Sequence, residues 1–395
     1  MTASEVLPTG LDIGVRDGKI ICIGSGLPSS ASTQVIDAEG AYITPGGVDS
    51  HVHLAQENAP TGDGWETGTR SAIAGGTTTI IAFASQQKSD TSLFPVLEEY
   101  NKTSKDQSYC DYSYHFILTN PTKEILRDEL PVMAHEHGIT SVKLYMTYEI
   151  MKLNDREVLD ILFACKALGM TTMIHAESHD MISLIIEGLE RNKHTEPYYH
   201  AIARPRIAED EASYRAISLA EFADAPMLIV HMSSEVALAH VRDAQTRLLP
   251  IHAETCPQYL FLLSERLKAD EHDHFAGAKH VCSPPLRHDP KDLEGLWRNV
   301  AKHRDDVLFR PRGDQVFRRG RQASGFDRRH PSLLQDPERF AWGGNSHPAS
   351  LQPDPGLCAA GEGAAELTAI RTVDVDESCE AVRSRRTQRQ YSSWV

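Results

Sequence analysis

Short apolar, β-branched runs recur along the chain at Val48–Leu54, Thr77–Ala84, Tyr112–Leu118, Ser141–Tyr148, Thr171–His175, Met227–His231, Pro250–Ala253 and Asp306–Phe309. Stretches with helical periodicity lie between most of them, for example Asp155–Leu168 and Glu209–Phe222. Strands that alternate with helices pair in parallel, because a crossover helix returns each strand to the same end of the sheet. Eight such strands predict an α/β fold, a (β/α)8 barrel of the TIM type. Ahead of the barrel, residues 11–24 read as two short strands joined at Asp17-Gly18, a strong hairpin signal. Val35–Ala38 reads as a further strand before a turn at Glu39-Gly40. The expected organisation is a small, incomplete β-sandwich unit over residues 1–45 and a barrel over 46–309.

Barrels of this kind do chemistry at the C-terminal ends of their strands. His51 and His53 stand two apart in the first barrel strand, so one face of that strand presents both imidazoles. Imidazole is the commonest neutral ligand for zinc-like metals. Taken alone, the pair reads equally well as two histidines lining a polar strand face. The other strand ends change that balance. Lys143 lies in the fourth strand, His175 closes the fifth and His231 closes the sixth. Four histidines and a lysine are therefore expected to converge on one mouth. Glu177 and His179 follow closely enough to support them. His135 and His137 are expected to face solvent, His272 and His274 to sit in a charged loop, and His194 and His200 to flank a loop at Pro197-Tyr198-Tyr199 without touching metal.

Composition narrows the class. The 395 residues are 41% hydrophobic and carry a formal net charge of −15, which disfavours a nucleic-acid partner. Seven cysteines (Cys22, Cys110, Cys165, Cys256, Cys282, Cys358, Cys379) show no CxxC spacing and read as reduced thiols of an intracellular protein. No signal peptide pattern opens the chain, and no apolar run reaches the roughly 18 residues of a membrane span. A cytoplasmic protein without membrane contact is expected.

Several motifs then coincide with a known family. Gly46-Gly47-Val48-Asp49-Ser50-His51-Val52-His53, Glu66-Thr67-Gly68-Thr69-Arg70 running into Ala74-Gly75-Gly76-Thr77-Thr78, Ser141-Val142-Lys143-Leu144-Tyr145-Met146, Ile174-His175-Ala176-Glu177, His231-Met232-Ser233-Ser234 and Cys282-Ser283-Pro284-Pro285-Leu286-Arg287 follow one another in order. The chain from residue 11 to about 308 resembles dihydropyrimidinase/hydantoinase of the amidohydrolase superfamily. The resemblance implies hydrolytic ring opening of cyclic amides (5,6-dihydrouracil, dihydrothymine, hydantoins) in pyrimidine catabolism. It implies two divalent metal ions, with His51 and His53 on one, His175 and His231 on the other, and Lys143, carboxylated by CO2, bridging both. A carbamate has anionic oxygens for both ions, whereas an ammonium has none. Zinc suits this donor set, and manganese or cobalt would also fit. Tyr148 matches the tyrosine that stabilises the developing oxyanion, and Ser283 the serine whose backbone contacts the substrate ring. A homotetramer is the family's usual assembly.

The resemblance breaks at the eighth strand. The family places Ser-Asp-His there, and its aspartate both ligates metal and moves the proton. Here Asp306-Val307-Leu308-Phe309 runs into Arg310-Pro311-Arg312-Gly313-Asp314, and Asp314 is a weak substitute. Residues 310–395 hold 13 Arg and no Lys, against 14 Arg and 13 Lys over 1–309, and lose all periodicity. This non-family tail is expected to be disordered and to arise from a shifted reading frame. Codons that can encode Phe309–Arg312, read from the second base, can spell Ser-Asp-His. Codons for Glu338–His347, read in the same frame, can spell Asn-Gly-Leu-Pro-Gly, the family's next motif. Without the aspartate the chain as written is expected to be impaired, since general acid–base groups contribute about 10²–10⁴-fold. Two alternatives remain. One is another cyclic amidase of the dihydroorotase or allantoinase kind, although Leu54-Ala55-Gln56 after His53 lacks the arginine that would meet an anionic or polar ring. The other is a non-enzymatic, dihydropyrimidinase-like scaffold, which the retained histidines and lysine argue against.

Overall fold

A computed structural model of the chain describes residues 6–56, 62–273, 276–302 and 307–309. The tail at 310–395, with Asp314, and His274 lie outside the described residues. Two compact units divide the described chain near residue 47.

The N-terminal unit holds one antiparallel pair, β1 (Asp12–Arg16) and β2 (Lys19–Gly24). The turn falls at Asp17 and Gly18, with φ of 51° and 69°. Positive φ at both central turn positions matches the twist of the flanking strands. Val35–Ala38 is not a strand, contrary to expectation. Val35 and Ile36 are 72% and 69% exposed, and among the described residues no strand pairs with them. A β-branched run alone does not make a strand without a ladder to join.

The second unit is the barrel. Its strands are β3 (Gly47–Val52), β4 (Thr77–Ser85), β5 (Asp111–Ile117), β6 (Ser141–Tyr145), β7 (Thr171–His175), β8 (Met227–Ile229), β9 (Ile251–Thr255) and β10 (Val307–Phe309). All eight lie in one sheet in sequence order, with parallel ladders from β4 through β10. The helices are α1 (Trp65–Ala74), α2 (Phe94–Ser104), α3 (Leu130–His135), α4 (Asp155–Leu168), α5 (His179–Arg191), α6 (Tyr198–Ala203), α7 (Arg206–Ala223), α8 (Glu235–Thr246), α9 (Pro257–Phe261) and α10 (Pro290–Lys302). This is the (β/α)8 winding that the hydrophobic rhythm predicts. Among the described residues the hydrogen-bonded order runs from β3 to β10 without a ladder joining those two strands.

Local chemistry sets the helix ends. The Asn154 side chain accepts from the Glu157 backbone N–H at 3.0 Å, and the Glu157 carboxylate accepts from the Asn154 N–H at 2.8 Å. This reciprocal capping box starts α4, and Gly169 ends it in the left-handed region at φ 65°. The helix matches the predicted Asp155–Leu168. Helix α7 extends beyond the predicted Glu209–Phe222 because the chain turns into it directly after Pro205.

Alternation along the strands sorts side chains between two cores. Val142, Leu144, Ile174 and Ile229 join the large cluster under the helices. Their neighbours Tyr145, Met173, Leu228 and Val230, with Phe83 and Ile117, form a second cluster inside the sheet's curve. The candidate ligands sit on this inner face.

Candidate metal centre

The five sequence-predicted ligands come together. The His51 ring lies 5.5 Å from that of His53 and 5.6 Å from that of His231, and His231 lies 4.5 Å from His175. Lys143 Nζ sits 4.9 Å above the Phe83 ring and 4.8 Å from the Tyr145 ring. Phe83 contacts His51 and His53 at 4.6 and 4.7 Å, and Tyr145 stacks on His175 at 5.3 Å. Two aromatic rings from the inner core thus form the floor on which the donors stand. Lys143, His51, His175 and His231 are buried; His53 is partly exposed.

Backbone geometry aims two of these groups. His53 and His231 lie just past the strand ends rather than within them. His231 has φ 43° and Tyr148 has φ 67°. Non-glycine residues adopt such angles at a cost of order 1–3 kcal/mol, which the surrounding structure must sustain. The turn at Tyr148 accepts backbone N–H donors from Met151 and Lys152 at 2.9 and 2.7 Å, and brings the Tyr148 ring to 5.4 Å from that of His175.

Two carboxylates orient two of the imidazoles. Glu254, near the end of β9, bonds His51 Nδ1 at 2.7 Å, and Glu177 bonds His175 Nε2 at 2.7 Å. Each carboxylate fixes a tautomer, in which the lone pair sits on Nε2 of His51 and on Nδ1 of His175. Burial lowers His175 to about pKa 4, with neighbouring Lys143 and Arg204 in the same sense. It is neutral at pH 7, as a ligand must be. Burial pushes Glu177 up, yet Arg204 and then His175 outweigh it and hold the carboxyl at about 2. Glu177 therefore supports the centre. His179 instead reaches the rim, 3.1 Å from Glu149.

Ser283 lies buried opposite α6. Its hydroxyl and the Cys282 carbonyl sit 3.2 and 3.0 Å from His200 Nε2. His200 is not in a loop: it belongs to α6 and is fully buried. Pro197 opens that short helix rather than breaking the chain. His135, His137 and His272 are exposed, as their surroundings suggested.

Sequence reasoning missed a buried ionic layer. Glu209 accepts from Ser233 N at 2.7 Å, Ser234 Oγ at 2.6 Å and Arg287 at 2.9 Å. Arg287 also donates to the Arg204 carbonyl at 2.8 Å. One signal was available. Glu209 lies on the helical face that carries Ala212, Ser213, Ala216 and Ala220, where a charged side chain must find a buried partner. Glu254 had a positional signal, since it nears its strand end as His175 and His231 near theirs. His115 was missed as well. It bonds the Ser50 carbonyl at 2.8 Å and the Ser141 hydroxyl, which ties β5 to β3 and to β6.

Among the described residues no three His, Cys, Asp or Glu side chains form a closed metal cage by themselves.

The chain is similar to known proteins in sequence and in fold. The amidohydrolase family matches residues 34–142. A D-hydantoinase of Geobacillus stearothermophilus is 38% identical over 306 residues, 77% of this chain and 63% of that protein. A D-phenylhydantoinase of Escherichia coli is 38% identical over 305 residues, 75% of this chain and 63% of that one. The chain thus spans less than two thirds of the length of these curated relatives. The crystal structure of a dihydropyrimidinase from Brevibacillus agri superposes with TM-score 0.74 at 31% identity, covering 85% of this chain and 70% of that one. With its barrel and these relatives, the chain belongs to the hydantoinase/dihydropyrimidinase family of amidohydrolases.

Proposed function

We propose that the ancestral activity of this chain is hydrolytic ring opening of cyclic amides, namely dihydropyrimidines and hydantoins, at a binuclear metal centre in the cytoplasm. The observation that carries the reading is the meeting of His51, His53, Lys143, His175 and His231 on one aromatic floor. The donor set fits divalent cations. His51 and His175 are each oriented by a carboxylate, and His175 is held neutral. His51 and His53 would hold one ion, His175 and His231 the other, and Lys143 would join both as a carbamate. Burial favours that modification, because it replaces a buried ammonium by an anion facing two cations. Zinc is the ion this set suits best.

When bound, the ions supply Lewis acidity, which activates a water and polarises the ring carbonyl. The chain's own residues do the rest. Tyr148 stands beside His175, where its hydroxyl can donate to the oxygen that gains charge as the amide carbon becomes tetrahedral. The Ser283 backbone would hold the ring. No aspartate on the described part of β10 takes the proton to the leaving nitrogen, and residue 310 onward lies outside the described residues. This chain is therefore a slow hydrolase or an inactive one.

The test is an assay of the zinc-loaded chain against dihydrouracil, hydantoin, dihydroorotate and allantoin, beside a chain that carries Ser-Asp-His after Phe309 in the shifted frame. The reading expects a roughly 10²–10⁴-fold higher rate for the shifted-frame chain on dihydrouracil or hydantoin. Preference for dihydroorotate or allantoin would refute the substrate class. A full rate from the chain as written would refute the impairment.

A further inference from the structure

One buried arginine touches both halves of the candidate chemistry. Arg204 lies between α6 and α7 and is 1% exposed. Its Nη1 donates to Glu177 Oε2 at 2.8 Å. The same oxygen bonds His175 Nε2 at 2.7 Å. Its guanidinium carbon lies 5.0 Å from the centre of the Tyr148 ring. Arg287 anchors the Arg204 backbone by donating to its carbonyl.

We propose that Arg204 is a positioning residue that sets the direction of the His175 ring through Glu177 and the pose of Tyr148 by stacking. The inference rests on the metal-centre reading above and extends it. The physical case is geometric. Glu177 is a short side chain on the loop after β7, and its Oε1 has no hydrogen-bond partner among the described residues. Its orientation therefore depends on the contacts that Oε2 makes, which among the described residues are the ion pairs with Arg204 and His175. A guanidinium can bond a carboxylate in its plane and lie over an aromatic ring with its face. A lysine has neither the planar donors that hold a carboxylate in a fixed direction nor a flat face for the ring. The β7 histidine and the tyrosine of the turn after β6 thus share one reference.

The experiment uses the full chain with Co²⁺ as the probe metal, in the wild type, Arg204→Lys, Glu177→Gln and the double variant. Affinity is read by chelator competition, and coordination by the visible ligand-field spectrum. The expected result is a 10–100-fold loss of Co²⁺ affinity in Arg204→Lys, the range for partners that orient ligands. An altered visible spectrum is expected with it, and so is a double variant no weaker than Glu177→Gln alone. A purely structural role would lower the melting temperature and leave the spectrum of the bound ion unchanged, which would overturn the proposal. Additive losses in the double variant would also overturn it, because Arg204 would then not act through Glu177. Unchanged affinity in Arg204→Lys would overturn it while leaving the metal centre standing. A wild type that takes up no Co²⁺ would sink both.

Discussion

At the scale of single residues, the centre is a case of polar groups held in an apolar setting by specific partners. Lys143 is fully buried over two aromatic rings. Replacing it with Met keeps the bulk and removes the nitrogen. Metal content measured by elemental analysis is expected to fall by at least half, with the melting temperature held or raised. His200 gives a pH prediction. Burial lowers its pKa from 6.5 to about 3, so the unfolded chain takes up a proton that the folded one refuses. Stability from this group is complete above pH 6.5 and falls as pH drops from 6.5 toward 3, by up to about 1.4 kcal/mol per pH unit. His200→Gln keeps a donor for the Cys282 carbonyl and is expected to flatten the loss of urea midpoint between pH 7 and pH 5. An unchanged slope would show that His200 does not titrate this way. The five candidate ligands could be singled out from sequence because polar side chains in or beside apolar strands are chemically distinctive. Glu177 was readable only as a neighbour. Glu209 was signalled only by the small, apolar helical face it shares, and Arg204 and Arg287 were not readable, because a buried ion pair looks the same in sequence as a solvated one.

At the scale of elements, helices and strands followed their signals where a signal was local. Helix α4 was legible to its ends because Asn154, Glu157 and Gly169 mark them. Asn154→Ala is expected to lower stability by about 1 kcal/mol in denaturant unfolding while leaving metal content unchanged. Strand extents were less legible. Apolar runs continue past Tyr145 and Ile229 into the turns that carry Tyr148 and His231, and pattern alone cannot show where a ladder stops. Val35–Ala38 failed for the same reason in reverse, with strand composition but no partner strand among the described residues. Phe83 links element to site. Phe83→Ala is expected to cost about 3–5 kcal/mol, as for other buried aromatics, and to weaken metal binding as well. Loss of stability without loss of metal would show that the floor does not position the donors.

For the whole molecule, the barrel order was legible from rhythm, while its last strand was legible only in part. Strand β10 pairs β9 from Val307 to Phe309, where the family resemblance ends. Everything in the account that concerns the strand-eight aspartate turns on the next few residues. Sequencing the transcript across codons 300–350 is expected to reveal a frame that spells Ser-Asp-His and then Asn-Gly-Leu-Pro-Gly. A transcript that matches the printed frame would instead make this a relative with a damaged barrel and a centre short of its proton carrier.

The central claim is that this chain is built around a metal centre at the mouth of the barrel. The most direct measurement is the zinc content of the purified chain, beside a His51→Ala/His53→Ala variant, after growth with added zinc. The account predicts about two ions per wild-type chain, reduced by at least one in the variant. A folded wild-type chain that holds no metal, or a variant that holds as much as the wild type, would contradict it.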